Sequence, residues 1–398
     1  MLRSRLQSTI MSAVALLFLA SGCSKVEYRK IDSPAYLRVF NNLNYTISLE
    51  NKDEPVPFLT MLIDPQTDQD GMPVSAAIKG DFLDQRDPYA PPYPSHVGTS
   101  ISYKNPEYPG KDNVLVGPVL NGFDLSSWAQ IPSGKHRVMF MFRPVNNTPF
   151  FDLESRLKKS VLIDTTLTLD AKEVYTLHVL QKDFITKKNG IYLRQENFHK
   201  LPLSDSMVYV NFYNMSAKGF QEADNSLKTG YKKSGALQNG VKDNMNIFYT
   251  LYKTEPSMAS PLPGYTQKFL GTLIRNSEVL EVTPYYSFPL FADGTSDGIH
   301  TTIWQHLDFM APGMHPANNP YYPFQYDTDG NWAPVECLMT GKTGVQGKEN
   351  SALLPNMIVN IPSGIYNPRS FATVNTIEIV NGNIYLTTVQ RKYAPPIY

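Results

Sequence analysis

The chain has 398 residues, with 36 basic and 36 acidic side chains, so it carries no net field to draw nucleic acid or a charged surface. Its length suits two or three domains, and an apolar content of 42% supplies real cores and excludes wholesale disorder. Aromatics at 12%, 31 Pro against 24 Gly and the lack of long Leu/Ala/Glu/Lys stretches predict an all-β protein with elaborate loops.

At the N-terminus, Arg3 and Arg5 form a basic region and Ile10–Leu19 an apolar one. The apolar run is too short to span a bilayer, which makes residues 1–22 a secretory signal. Leu19-Ala20-Ser21-Gly22-Cys23 resembles the lipobox of bacterial lipoproteins, although Ala20 stands where Leu is usual. The resemblance implies that Cys23 is diacylated, cleaved free and N-acylated, with the lipid bilayer as partner through several acyl chains. Residues 23–34 then form a lipidated tether. Cys23 and Cys337 are the only cysteines, so lipidation of Cys23 leaves no disulfide, and Cys337 in an apolar run reads as a structural core thiol.

Beyond the tether, strand-like sequence recurs in pairs. Tyr36–Asn41 (YLRVFN) matches Tyr209–Asn214 (YVNFYN), and Phe58-Leu59-Thr60-Met61 matches Phe248-Tyr249-Thr250-Leu251. Ile131-Pro132-Ser133-Gly134 is identical to Ile361-Pro362-Ser363-Gly364, a turn signal. Thr166–Lys182 and Thr376–Lys392 align without a gap, placing Tyr175 on Tyr385, and both read as closing hairpins. Asn381-Gly382 suits a turn with positive φ at both central residues, and Asp170-Ala171-Lys172-Glu173 is assigned the same job in the first copy. These matches predict two tandem antiparallel β-sandwiches of immunoglobulin-like type, residues 35–203 and 204–398. Phe151–Lys159 places Leu153 and Leu157 four apart, as two helical turns would.

Three long insertions break the β rhythm, at Asp84–Asn113, Ala217–Asn244 and Met310–Pro334. The first carries Tyr89, Tyr93, Tyr103 and Tyr108, and the third Tyr321, Tyr322, Tyr326 and Trp332, all among prolines. Such rings either pin their own loops to the sheets or face a glycan or protein ligand, and they are the candidate ligand-binding residues. Asp68-Gln69-Asp70-Gly71 and Asp327-Thr328-Asp329-Gly330-Asn331 space oxygens as a calcium loop does, but neither completes an EF-hand, so backbone turn chemistry is the better reading. His300, His306 and Asp308 keep even spacing and would share one face of a strand. They are the best start for a metal-dependent hydrolase, although H-E-x-x-H, G-x-S-x-G, P-loop and G-x-G-x-x-G motifs are absent. No catalytic residue, metal site or cofactor is assigned.

The lipobox, the paired opening strands, the IPSG turns and the closing segments resemble lipoproteins of the Bacteroidota cell envelope with tandem β-sandwich domains of unknown function. The resemblance implies fold and an outer-membrane location rather than a mechanism. Ser24-Lys25-Val26-Glu27 lacks the acidic run often found after Cys in surface-displayed members, which leaves the periplasmic and external faces both open. The reading that follows is a non-enzymatic, lipid-anchored binding or assembly protein that contacts glycan or envelope-protein partners through its loops. A structural adhesin or surface-assembly subunit is the close alternative, and an envelope hydrolase the second. Cys23→Ala is expected to abolish fatty-acid labelling and to release or mislocalise the protein; persistent labelling overturns the lipobox reading.

Overall fold

The computed structural model describes residues 30–86, 107–110, 112–204, 207–228, 243–252, 261–278, 281–289, 304–313, 315–316, 332–337, 352–354, 359–362, 368–371 and 373–390. The chain divides into two compact units, Met1–Asp32 and Ser33–Tyr398, and the strands of the described residues lie in the second. Among the described residues, helix is confined to short 3-10 turns, and no helix is long and apolar enough to cross a membrane.

The first half of the larger unit contains β1 (Ala35–Asn41), β2 (Val56–Thr67), β3 (Pro73–Leu83), β4 (Glu107–Tyr108), β5 (Val119–Leu120), β6 (Phe123–Asp124), β7 (Ala129–Ile131), β8 (Gly134–Arg143), β9 (Val161–Leu169), β10 (Val174–Asp183) and β11 (Lys188–Glu196). One sheet runs β11-β10-β1-β4, with β7 also on β1, and a second runs β3-β2-β8-β9. Alternate residues of β1 and β10, such as Leu37, Val39 and Leu177, meet Leu59, Met61 and Phe140 of the other sheet in one core. β5 and β6 form a separate two-stranded ribbon.

The second half contains β12 (Met207–Asn214), β13 (Asn244–Tyr252), β14 (Lys268–Ile274), β15 (Tyr286–Pro289), β16 (Trp304–Met310), β17 (Trp332–Cys337), β18 (Ala352–Leu354), β19 (Val359–Pro362), β20 (Pro368–Phe371), β21 (Thr373–Val380) and β22 (Asn383–Gln390). Its sheets run β15-β12-β21-β22 and β14-β13-β16-β17-β18, with β19 and β20 as a ribbon. Phe212, Ile247, Leu307, Phe309, Ile377 and Ile379 lie in their shared core.

The two halves repeat one plan. β12 occupies the place of β1, β21 that of β10, and β22 that of β11, while β14-β13-β16-β17 repeats β3-β2-β8-β9. Register agrees as well: Asn41 lies beside Val179, and Asn214 beside Ile379. These two asparagines end their strands in the same way. Asn41 Oδ1 accepts from Leu43 N–H and Asn214 Oδ1 from Ser216 N–H, each two residues on. Asn41 Nδ2 also donates to the carbonyls of Pro57 and Leu83, tying β1 to the second sheet.

The structure corrects three sequence expectations. The sheets are largely antiparallel, but β1 with β10, β12 with β21 and β17 with β18 are parallel pairs. Thr166–Lys182 is not a hairpin: β9 pairs with β8 and β10 with β1, so Asp170–Glu173 carries the chain between sheets. Tyr175 fixes that crossing, its hydroxyl accepting from Asp170 N–H at 3.0 Å. Thr376–Lys392 does contain the β21–β22 hairpin, with Asn381 at φ 49° and Gly382 at φ 82°. Where the spacing predicts two helical turns over Phe151–Lys159, Phe150–Asp152 and Ser155–Lys158 form two 3-10 turns, and Leu153 and Leu157 bury against Leu62, Met139 and Met141. Burial of each leucine contributes roughly 2 kcal/mol.

Removing Asn41 leaves two strand carbonyls and one N–H without a side-chain partner in the core. Asn41→Ala is expected to destabilise the protein by about 2–3 kcal/mol, read from the midpoint of urea unfolding; an unmoved midpoint would contradict this role.

Candidate functional site

Charged residues inside strands cluster where the β11-β10-β1 sheet meets the β12-β21-β22 sheet. Arg38 on β1, His178 on β10, Arg194 and Glu196 on β11, and Glu378 on β21 are all buried, as is Arg86, which follows β3. Alternation sends these side chains away from the sandwich cores while Leu37, Leu177 and Ile377 point inward. Glu378, with 0% exposure, is the hub. One oxygen accepts from Arg86 Nη1, and the other from Arg194 Nη2 at 2.7 Å, with His178 Nε2 3.3 Å from it. Arg194 Nε reaches Glu196 at 2.8 Å, Arg86 Nη2 donates to Thr387 at 3.0 Å, and His178 Nδ1 lies 3.0 Å from the Asn42 side-chain amide.

Aromatic rings complete the setting. Arg86 stacks between Phe40 and Tyr385 at 3.9 and 4.5 Å, Arg194 over Tyr213 at 4.3 Å, and Arg38 over Trp128 at 3.8 Å. Leu180, Tyr192, Tyr213, Met215 and Tyr385 form an apolar cluster from both halves beside it. Burial raises the cost of charging Glu378, yet Arg86, His178 and Arg194 hold its carboxyl well below the usual range. Burial draws Arg38 down to about 10 despite Glu107, Glu196 and Glu378. Burial also draws His178 down to about 4, against the pull of Glu378, so His178 is neutral near pH 7. This arrangement joins the two halves through Glu378, while Arg38 Nε and Nη2, Arg86 Nε and Arg194 Nη1 are buried without a hydrogen-bond partner among the described residues.

Two adjoining clefts open beside β11. One, of about 680 Å³, is lined by residues of β9, Lys188–Ile191 of β11, Lys182, Lys218 and Arg275. The other, of about 490 Å³, is lined by Thr168, Asp170, Leu193, Glu196, Lys200 and Glu281. Both fall within the size range of ligand-binding clefts.

The sequence candidates disperse. Tyr108 is a correction: pairing of β4 with β1 draws it into the core at 0% exposure, and a Cβ on Gly80 would approach its ring to 2.7 Å. It is a core ring and not a ligand contact. Tyr89, Tyr93, Tyr103, Tyr321, Tyr322 and Tyr326 lie outside the described residues, as do Cys23, His300 and the Asp327–Asn331 turn. Trp332 begins β17, where its backbone pairs with Met310, and Cys337 ends that strand. Asp68 serves its own hairpin, accepting from the N–H groups of Asp70 and Met72, while Gly71 takes φ 77°. His306 and Asp308 share one face of β16 with Nε2 and Oδ1 3.3 Å apart, and burial pushes the Asp308 carboxyl up to about 8. Among the described residues no group of three His, Cys, Asp or Glu is placed to hold a metal ion.

Sequence reasoning passed over Arg86, Arg194, His178 and Glu378. For His178, Arg194 and Glu378 the signal is a charged or imidazole side chain inside a strand of strong β formers, as in YTLHVL, IYLRQE and TIEIV; Arg86, which follows β3, carries no such signal. No protein-family model matches the chain, and no curated protein matches it. The fold and these residues define an all-β protein whose two halves meet through a buried ionic junction.

Glu378→Ala strands two guanidinium groups in the junction and is expected to cost about 3–5 kcal/mol, seen as a lower urea midpoint. The pH dependence carries a sign. The unfolded chain protonates His178 below about 6.5, the folded chain only below about 4. Stability from His178 is therefore lost as pH falls through that window, on the order of 3 kcal/mol at about 1.4 kcal/mol per pKa unit. Asp308, raised, acts with the opposite sign, its contribution being lost as pH rises toward 8. His178→Gln should flatten the acid limb between pH 6.5 and 4 relative to wild type; parallel profiles would refute the assignment.

Proposed function

We propose that this is a lipid-anchored binding or assembly protein of the cell envelope, non-enzymatic, built from two tandem immunoglobulin-like sandwiches of residues 35–203 and 204–398. The observation that carries the reading is the repeated sheet plan, with matching register at Asn41 and Asn214 and a buried junction between the halves; the anchor rests on the lipobox-like sequence at Leu19–Cys23. A frame of this kind holds the strand edges of its two halves in fixed register with one another, and the membrane anchor in this reading is Cys23. Its partners are envelope glycans or proteins, met by the aromatic loops around Tyr89–Tyr103 and Tyr321–Trp332 and by the clefts beside β11.

The adhesin or surface-assembly reading is favoured by one specific feature, the unpaired outer side of β11 among the described residues. The hydrolase reading has the buried His306–Asp308 pair as its only described support.

Immobilised protein is to be screened against purified envelope polysaccharides and fractionated envelope proteins. Saturable binding of one component is the expected result, and silence across both sets overturns the binding reading.

A further inference from the structure

β11 pairs with β10 on one side and, among the described residues, with no strand on the other. β9, at the margin of the facing sheet, pairs among the described residues with β8 alone. The two margins approach one another, and both clefts follow them. β11 has 9 residues, about 30 Å at roughly 3.4 Å per residue. An open edge of that length presents a row of backbone donors and acceptors whose spacing another strand reproduces. Ile191 and Leu193 are half-buried against the core and line the clefts, where alternate side chains of an added strand would be received.

Charge gives the groove a direction. At the Lys188 end, Lys182 pairs with Glu278, Arg275 with Asp243 and Asp164 with Arg137, while Asp183 accepts from the N–H groups of Ile185 and Thr186. Lys188 makes no ion pair among the described residues, and Lys218 makes no direct bridge, although its charge acts on Asp183. At the other end, Glu196 pairs with Arg194 and Lys200 with Glu173, which leaves Asp170 and Glu281 outside any ion pair there. An antiparallel guest lays its N-terminal end beside Glu196 and its C-terminal end beside Lys188.

We infer that β11 accepts an extended segment of a partner protein by antiparallel strand addition, the segment being apolar at alternate positions, basic at its N-terminal end and acidic at its C-terminal end. This deepens the binding reading and rests on it. The junction suits β11 to the role: Tyr192, Arg194 and Glu196 anchor one face of the strand, so its edge is ordered before a guest arrives.

The test uses two labelled peptides of identical composition with an alternating Val/Thr centre. One begins with two lysines and ends with two glutamates, and the other has these ends exchanged. Each is titrated against the full-length protein in detergent, with hydrogen exchange followed over Lys188–Glu196. The lysine-first peptide should bind about tenfold more tightly and slow exchange in β11. N-methylation of its alternate backbone nitrogens should abolish binding, and the exposed pair Lys188→Glu with Lys218→Glu should remove or reverse the preference. No binding, equal affinities, preference for the glutamate-first peptide, or binding that leaves β11 exchange unchanged each overturns the inference. A partner captured in the envelope screen that binds wild type and the double variant alike removes β11 as its site and leaves the binding reading standing.

Discussion

The structure turns on a carboxylate that cannot stand alone. Glu378 has no solvent exposure, and an isolated charge in that position would cost several kcal/mol or take up a proton. It stays ionised because Arg86 and Arg194 converge on it from the other half; Glu378 is the one carboxylate that Arg86 reaches among the described residues, while Arg194 also holds Glu196. Neither half can satisfy the set by itself. Hydrophobic replacement of such a network often matches its stability, so what the charges add here is geometric. Bonds from two directions, with rings stacked on the guanidinium planes, tolerate little sliding of one sheet over the other.

The repeated plan explains how such a junction is arranged. His178 lies beside Phe40 in one parallel ladder, and Glu378 lies beside Tyr213 in the other, at the same register position. Equivalent positions on two similar sheets come face to face, and they carry different chemistry. Two carboxylates there would repel, and two imidazoles would leave Arg86 without a carboxylate partner among the described residues. A neutral imidazole opposite a carboxylate avoids both conflicts, since burial keeps His178 uncharged while the arginines neutralise Glu378.

Local chemistry was legible in the sequence where one residue type satisfies one backbone demand. Asn381-Gly382 specified its hairpin through positive φ, and the Asn closing YLRVFN and YVNFYN specified equivalent turns. Pairing partners were less legible. A period of two is the same for a hairpin and for a chain crossing between sheets, so Thr166–Lys182 looked like Thr376–Lys392 although β9 and β10 belong to different layers. The structural equivalent of β10 is β21, which puts the Tyr175–Tyr385 match out of phase by one strand. Burial of polar residues was least legible of all. Arg194 and Glu378 alternate with apolar neighbours as solvent-facing residues do, and only a second sheet against that face buries them. Tyr108 shows the converse, a loop-like neighbourhood in sequence that two residues of strand pairing turn into core.

The same junction bears on what the molecule can present to others. Flexible edges are poor templates, because ordering them subtracts from the binding free energy. In β11, Tyr192, Arg194 and Glu196 point into the junction, while Ile191 and Leu193 on the opposite face stay half-buried at the margin of the core. One face is thus fixed by interactions that require both halves, and the other opens onto the clefts beside β9. A strand built this way is held on one face and, among the described residues, joined by no strand at its outer edge. The ionic junction can therefore matter to function by holding the edge beside it in the extended, evenly spaced form that a second strand can join.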